Sequence, residues 1–291
     1  MNSARKALRV MLGGDKIIVA PGAHNSISAR IIEKVGFKAL YATGYGASAS
    51  QLGEPDVGLM TMTEMVGHMN NLVEAVTVPV IADADTGYGN VINTIRTVHQ
   101  FEKAGVAAIQ LEDQVMPKKC GHMLGREIVA MDEMVGKIEA CVEARRDDDL
   151  VIIARTDART RYGIEEAIRR GQAYAEAGAD VIFIESPESI EEMKLISRSI
   201  PKPTLANVVE RGRTPQLPAA ELEKIGYKIA IFPITGVLAE TKTLFHIFER
   251  LMETGSTNSI LDYLYDFEGF NLLMGVEKVR EIEKRYLTRP Q

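Results

Sequence analysis

The sequence predicts an α/β fold, a (β/α)8 barrel of the TIM type with a C-terminal helical extension. Three observations predict it. Eight short apolar runs recur along the 291 residues, each four to six apolar or β-branched residues long. That length suits a strand buried on both faces. Longer segments with helical spacing lie between the runs. Nearly every run also breaks at its C-terminal end into a charged, hydroxyl or amide residue. A barrel converges those ends on one mouth, whereas the rival arrangement, an open doubly wound sheet, spreads them along a line.

The runs are "KIIVAPG" (16–22), "ALYATGYG" (39–46), "PVIADAD" (79–85), "AAIQLED" (107–113), "VIIARTD" (151–157), "DVIFIES" (180–186), "PTLANV" (203–208) and "KIAIFPITG" (228–236). Their polar ends are Thr43, Asp83 with Asp85, Glu112 with Asp113, Arg155 with Asp157, Glu185, Asn207 and Thr235. The helices are read over 26–36, 90–105, 130–148, 163–178 and 218–226. The first places Ile27, Ile31, Ile32 and Val35 on one stripe and ends on Gly36, a C-cap residue. The second opens on Asn90, which can cap, and closes on Gly105. Beyond residue 236 the chain is longer than one closing helix requires and rich in apolar residues. That extension must be covered, by the barrel bottom or by another subunit. With no linker rich in Pro, Gly or Ser and no repeat, 1–291 reads as one domain, with 237–291 as its extension.

A net charge of −6 argues against nucleic acid as the main partner, because phosphate binding needs a basic face. No run of 18 apolar residues is present to span a membrane. The N-terminal stretch lacks the pattern of a secretory signal, so a cytoplasmic protein with two free thiols, Cys120 and Cys141, is expected.

Three constellations can carry chemistry. Asp83 and Asp85 are two apart at a strand end, and alternation points them to one side. With Glu112 and Asp56 they put four acids at the mouth, and such a set needs a cation or a proton between its members. Oxygen ligands with few imidazoles suit Mg²⁺ or Mn²⁺. Any one of these acids alone reads equally well as a helix cap or a solvated charge. Second, Cys120 in "PKKCGHMLG" follows Lys118 and Lys119 and precedes His122. Cations lower a thiol's pKa and suit it to nucleophilic or acid–base work; an ordinary residue in a basic loop is the bland alternative. Cys141 instead has helical spacing to Ile138 and reads as core. Third, Arg155 can hold a carboxylate bidentately, with Glu185, Asn207 and Thr235 completing a polar ring. A structural Arg–Glu pair would look the same. The remaining histidines show no metal-ligand spacing. The Gly-rich "TGYGASAS" (43–50) lacks a P-loop ending, although its N–H groups can hold an anionic oxygen.

Taken in order, "TGYGASASQLGEPDVGLMT", "IADADTGYGN", "QLEDQVMPKKCGHMLG", "IIARTDA", "FIESP" and "LANVVERG" resemble the isocitrate lyase/phosphoenolpyruvate mutase superfamily over almost the whole chain. "KKCGH" is similar to the signature of its carbon–carbon lyase branch, and "TGYG" favours a substituted malate over a tricarboxylate. The resemblance implies retro-aldol cleavage of a 2-hydroxy dicarboxylic acid to a 2-oxo acid such as pyruvate and a carboxylate. It implies Mg²⁺ held by Asp85 directly, with Asp83, Asp56 and Glu112 mostly through water. It implies substrate contacts from Thr43, Gly44, Tyr45, Gly121, His122, Arg155, Glu185 and Asn207, to which the polar ring adds Thr235. Cys120, Arg155, Lys118, His122 and Glu112 are the catalytic candidates, Cys120 as proton donor. A homotetramer with the C-terminal helix swapped between subunits, and a small carboxylic acid as ligand, are further implications. Oxaloacetate hydrolysis, phosphonate P–C chemistry and a non-catalytic binding barrel are the alternatives.

Overall fold

The computed structural model describes residues 3–121 and 125–287. The chain divides into two compact units, Met1–Gly236 and Val237–Gln291. In the first, eight parallel strands close into a barrel in sequence order, and the last pairs back onto the first. They are β1 (Ile18–Ala23), β2 (Leu40–Ala42), β3 (Val80–Asp83), β4 (Ala108–Glu112), β5 (Val151–Thr156), β6 (Val181–Ile184), β7 (Thr204–Asn207) and β8 (Ile229–Phe232). The helices of this unit are α1 (Ser3–Gly13), α2 (Ser26–Val35), α3 (Gly44–Leu52), α4 (Met62–Ala75), α5 (Val91–Ala104), α6 (Met131–Ala144), α7 (Arg159–Tyr162), α8 (Ile164–Glu176), α9 (Ile190–Ser199) and α10 (Ala219–Ile225). The open-sheet alternative is excluded by the closure.

The expected caps form. The Asn90 side chain accepts from the N–H groups of Ile92 and Asn93, and Gly36, Gly105 and Gly226 end their helices in the left-handed conformation. Two expectations are corrected. The run 39–46 is a strand only as far as Ala42: Thr43 caps α3 by accepting from Gly46 N at 3.3 Å. On α2 the apolar stripe is not the buried face. Ala29 and Ile32 are buried, whereas Ile27, Ile31 and Val35 are exposed. Ala29 and Ile32 are three apart and share a helix face, so they meet the barrel and turn the 27–31–35 row away.

Strand parity places the site. Ile81, Val151, Ile153, Val181, Phe183, Leu205, Ile229 and Ile231 pack together inside the barrel. Their neighbours Val80, Ile152, Ala154, Ile182, Ala206 and Ala230 pack outward against the helices. Continuing the inward set by two residues reaches Asp83, Arg155, Glu185, Asn207 and Pro233 at the C-terminal end. The opposite end is closed by α1. Arg5 donates to Val106 O at 2.9 Å and Arg9 pairs with Asp180 at 2.7 Å. The mouth is thereby left as the opening of this barrel.

The second unit comprises most of α11 (Thr235–Thr254), a 3₁₀ turn over Asn258–Tyr263, α12 (Phe267–Leu273) and α13 (Val276–Tyr286). Within it His246 meets the Tyr263 ring edge-on at 4.9 Å. Among the described residues no helix is long and apolar enough to cross a membrane.

Candidate active site

A cavity of about 260 Å³ opens at the mouth. Its polar wall holds Thr43, Tyr45, Asp56, Asp83, Glu112, Lys118, Arg155, Glu185 and Asn207; Cys120 and Gly121 close one side. The far wall, from Phe183, Val209, Ile231, Pro233 and Ile234, is apolar. A cavity of this size takes a compact ligand.

The acids are brought together, but not by strand alternation as expected. β3 ends at Asp83, and Asp85 adopts a left-handed backbone with φ +48°. A non-glycine residue in that region is strained, and such strain gathers at functional sites. The turn is held by Asp85 N donating to Asp83 Oδ1 at 3.1 Å and by Glu112 N donating to Asp85 O at 2.9 Å. Gly44 must be glycine here, because a Cβ would lie 2.8 Å from Asp83 Oδ2. In the sequence Lys118 reads as a loop cation beside Cys120. It is buried, with Nζ 2.5 Å from Asp56 Oδ1 and 2.7 Å from Asp85 Oδ1. Burial works against its charge, yet Asp85 and Asp56 outweigh that and hold it well above the usual lysine range. Burial, opposed by Lys118 and reinforced by Asp83 and Asp56, pushes Asp85 up to about 6. Glu112 is likewise driven well above its ordinary value by burial, against the pull of Arg155.

Arg155 stands in a ring of carboxylates. Its Nε and Nη2 donate to Asp157 at 2.9 and 3.0 Å. Nη1 lies 3.2 Å from Glu112 and Nη2 3.5 Å from Glu185, and the guanidinium sits 5.1 Å over the Phe183 ring. Glu185 accepts from Ser186 N at 2.7 Å and Asn207 Nδ2 at 2.9 Å. Asn207 Oδ1 is buried and lacks a hydrogen-bond partner. Beneath the ring Asp113 accepts from Thr156, Asp157 N, Arg170 and Tyr174, tying β4 and β5 to α8.

Cys120 is half-buried. Lys119 Nζ donates to Gly125 O at 2.8 Å, so the two neighbouring ammonium groups have separate partners. Gly121 packs against Arg155 and Glu185, and its carbonyl accepts from Ser186 Oγ at 3.1 Å. Cys141 is core as expected, its thiol pushed up to about 12 by burial. His99 contacts Ala144 O at 3.0 Å within the helical layer. Thr235 is exposed and hydrogen-bonds Glu210 instead of lining the cavity. His122 lies outside the described residues.

Among the described residues no three acid, histidine or cysteine side chains form a ready-made metal cage. The donor set still fits a hard divalent ion. Asp56, Asp83, Asp85 and Glu112 are all buried, and Glu112 Oε1 lacks a hydrogen-bond partner. Mg²⁺ characteristically uses one or two carboxylates and keeps several waters. Residues that the sequence reading missed include Tyr41, which donates to Gln110 at 3.0 Å, and Gln110, which donates to Asp83 at 3.3 Å. The amide inside the apolar run "AAIQLED" is the signal that would have found it. Val209, Ile234 and Arg126 carry no such local signal.

Comparison with known proteins gives the following. Residues 8–251 match the family model described as phosphoenolpyruvate phosphomutase. The chain is 58% identical over 288 residues to a 2,3-dimethylmalate lyase of Eubacterium barkeri, covering 99% of each chain. A crystal structure of a 2,3-dimethylmalate lyase, a PEP mutase/isocitrate lyase superfamily member, superposes with a TM-score of 0.93 at 37% identity, over 98% of this chain and 96% of that one. An oxaloacetate acetylhydrolase in complex with 3,3-difluorooxalacetate gives 0.93 at 34% identity, over 99% of each.

Proposed function

The chain belongs to the phosphoenolpyruvate phosphomutase family, within the PEP mutase/isocitrate lyase superfamily, and from that premise we propose that it is a carbon–carbon lyase of substituted malates. It cleaves a 2-alkyl or 2,3-dialkyl malate to a 2-oxo acid, pyruvate where the C2 substituent is methyl, and a second carboxylate. One observation carries the reading: a thiol and a guanidinium share a small cavity that sets a polar wall against an apolar one. Alkyl substituents gain from that wall, whereas a third carboxylate against Val209, Pro233 and Ile234 would lose water with no partner.

Arg155, held on Asp157, binds substrate carboxylate and fixes the C2–C3 bond in the cavity. Thr43, Tyr45 and the N–H groups at the start of α3 receive the 2-oxyacid end. A base takes the 2-hydroxyl proton, and the O–H electron pair becomes the C2 carbonyl. The C2–C3 pair moves into the leaving carboxylate, and Cys120 delivers a proton to C3. Asp85, with Asp83, Asp56 and Glu112, would hold Mg²⁺. When bound, the ion neutralises negative charge growing on oxygen. Gly121, packed on Arg155 and Glu185, keeps water from the carbanion.

The test is Mg²⁺-dependent pyruvate release, coupled to lactate dehydrogenase, from 2,3-dimethylmalate, citramalate and 2-methylisocitrate. No pyruvate from any of them sinks the reading. Oxaloacetate hydrolysis is the second reading, favoured by the likeness to the acetylhydrolase. Oxalate formed from oxaloacetate faster than pyruvate from any malate would establish it. For the second unit we propose that another copy of this chain covers α11, where Phe245, Phe248 and Met252 are each more than half exposed. Sedimentation should give a homo-oligomer, a tetramer by family, and a monomer would refute this.

A further inference from the structure

We infer that Arg126 is a positioning residue for Arg155, acting through the Asp157 carboxylate that the two share. This rests on the reading of Arg155 as the group that binds substrate carboxylate. Asp157 is buried and takes the Nε–Nη2 edge of Arg155. Arg126 Nη1 reaches the same oxygen, Oδ1, at 2.5 Å, and its Nη2 donates to Thr160 Oγ1 at 2.5 Å. Arg126 is only 5% exposed, so it is no solvent charge that happens to lie near. It also follows the segment bearing Cys120, and its grip on Asp157 and Thr160 ties that connection to the end of β5.

Charge balance gives Arg126 its role. Arg155 faces the carboxyl groups of Glu112, Asp157 and Glu185, and even with Glu112 protonated two carboxylates meet one guanidinium. With Asp157 to itself, Arg155 would offer a dicarboxylate substrate little net attraction. A second guanidinium on Asp157 answers that charge, so Arg155 keeps its field toward the cavity while Asp157 still fixes its edge. Against the effect of burial, Arg155 and Arg126 together hold Asp157 below its ordinary value.

The experiment measures oxalate binding by calorimetry at one fixed MgCl2 concentration, with kcat, KM and Tm alongside. Arg126→Met should weaken oxalate and raise KM about tenfold, in the range of coupled charge pairs, while kcat stays within about threefold. Arg126→Lys should recover most of the affinity. In an Asp157→Asn background Arg126→Met should change oxalate affinity less than about twofold, since the amide carries no charge to share. Equal losses in both backgrounds, or a lower Tm with unchanged oxalate affinity, overturn the proposal. Should Arg126→Met not fold, Arg126→Lys and Arg126→Gln decide the same point. Affinity that follows the charge supports it, and equal affinity in the two overturns it. Arg155→Lys separates this from the underlying reading. Unchanged oxalate affinity there removes Arg155 from substrate binding. Loss there with no effect at Arg126 overturns the positioning role alone.

Discussion

Replacing Gly121 with alanine should cost catalysis about a hundredfold and leave the fold intact. A Cβ at this position would lie 2.5 Å from Nη2 of Arg155 and 2.7 Å from the carboxyl of Glu185. Ordinary contact begins at 3.4 Å, so the clash at Arg155 is about 0.9 Å. Neither neighbour can yield. Arg155 is held by two bonds to Asp157, and Glu185 by Ser186 N and Asn207. Gly121 is not among the positive-φ residues, so alanine meets no backbone penalty of its own. The displacement therefore passes to the segment that carries Cys120 and breaks the Ser186–Gly121 hydrogen bond. A misplacement of about 1 Å at a reacting group costs on the order of a hundredfold in rate. The surrounding barrel is untouched, and Tm should stay within about 2 °C. Pyruvate release gives kcat/KM. Iodoacetamide labelling gives a second readout that needs no substrate, since Cys120 should react faster once displaced while buried Cys141 stays silent. A variant with kcat/KM within threefold of the parent would refute the packing argument.

Three further outcomes are expected. Cys120→Ser should fold normally and lose at least about a hundredfold in kcat, the usual contribution of a positioned proton donor, and parental turnover would remove the thiol from the mechanism. Lys118→Met leaves Asp56 and Asp85 buried without their cation, which should cost about 3 kcal/mol of stability. MgCl2 should then raise the variant's Tm more than the parent's, and equal gains would show that Lys118 and the ion do not answer the same charge. His68, pushed down to about 4 by burial and then by His24, sets a pH dependence. Between about pH 6.5 and 4 the unfolded chain takes up a proton that folded His68 refuses, so stability falls as pH drops, by about 3 kcal/mol from this residue. About 2 kcal/mol of that loss falls between pH 7 and pH 5, where urea unfolding should show it flattened in His68→Gln; an unchanged slope would reassign it to other groups.

By itself the sequence determined the alternation of strands and helices, and with it the barrel. Strands buried on both faces must read as short apolar runs, and helices between them must show their periodicity and caps, so both patterns are local. The same locality made Thr43, Asp83, Glu112, Arg155, Glu185 and Asn207 legible as a group, because each terminates a run on the inward parity of its strand. Thr235 followed that rule and failed, since β8 ends at Phe232 and the chain has left the barrel lining three residues later. Only the tertiary structure decided which charges answer which. Lys118 reads in sequence as a companion of Cys120, yet its ammonium lies between Asp56 and Asp85, 62 and 33 residues earlier in the chain. Arg126 gave no signal at all, because its meaning depends on Asp157, 31 residues later. Electrostatic pairing acts through space over a few ångströms, whereas sequence patterns record only what repeats along the chain.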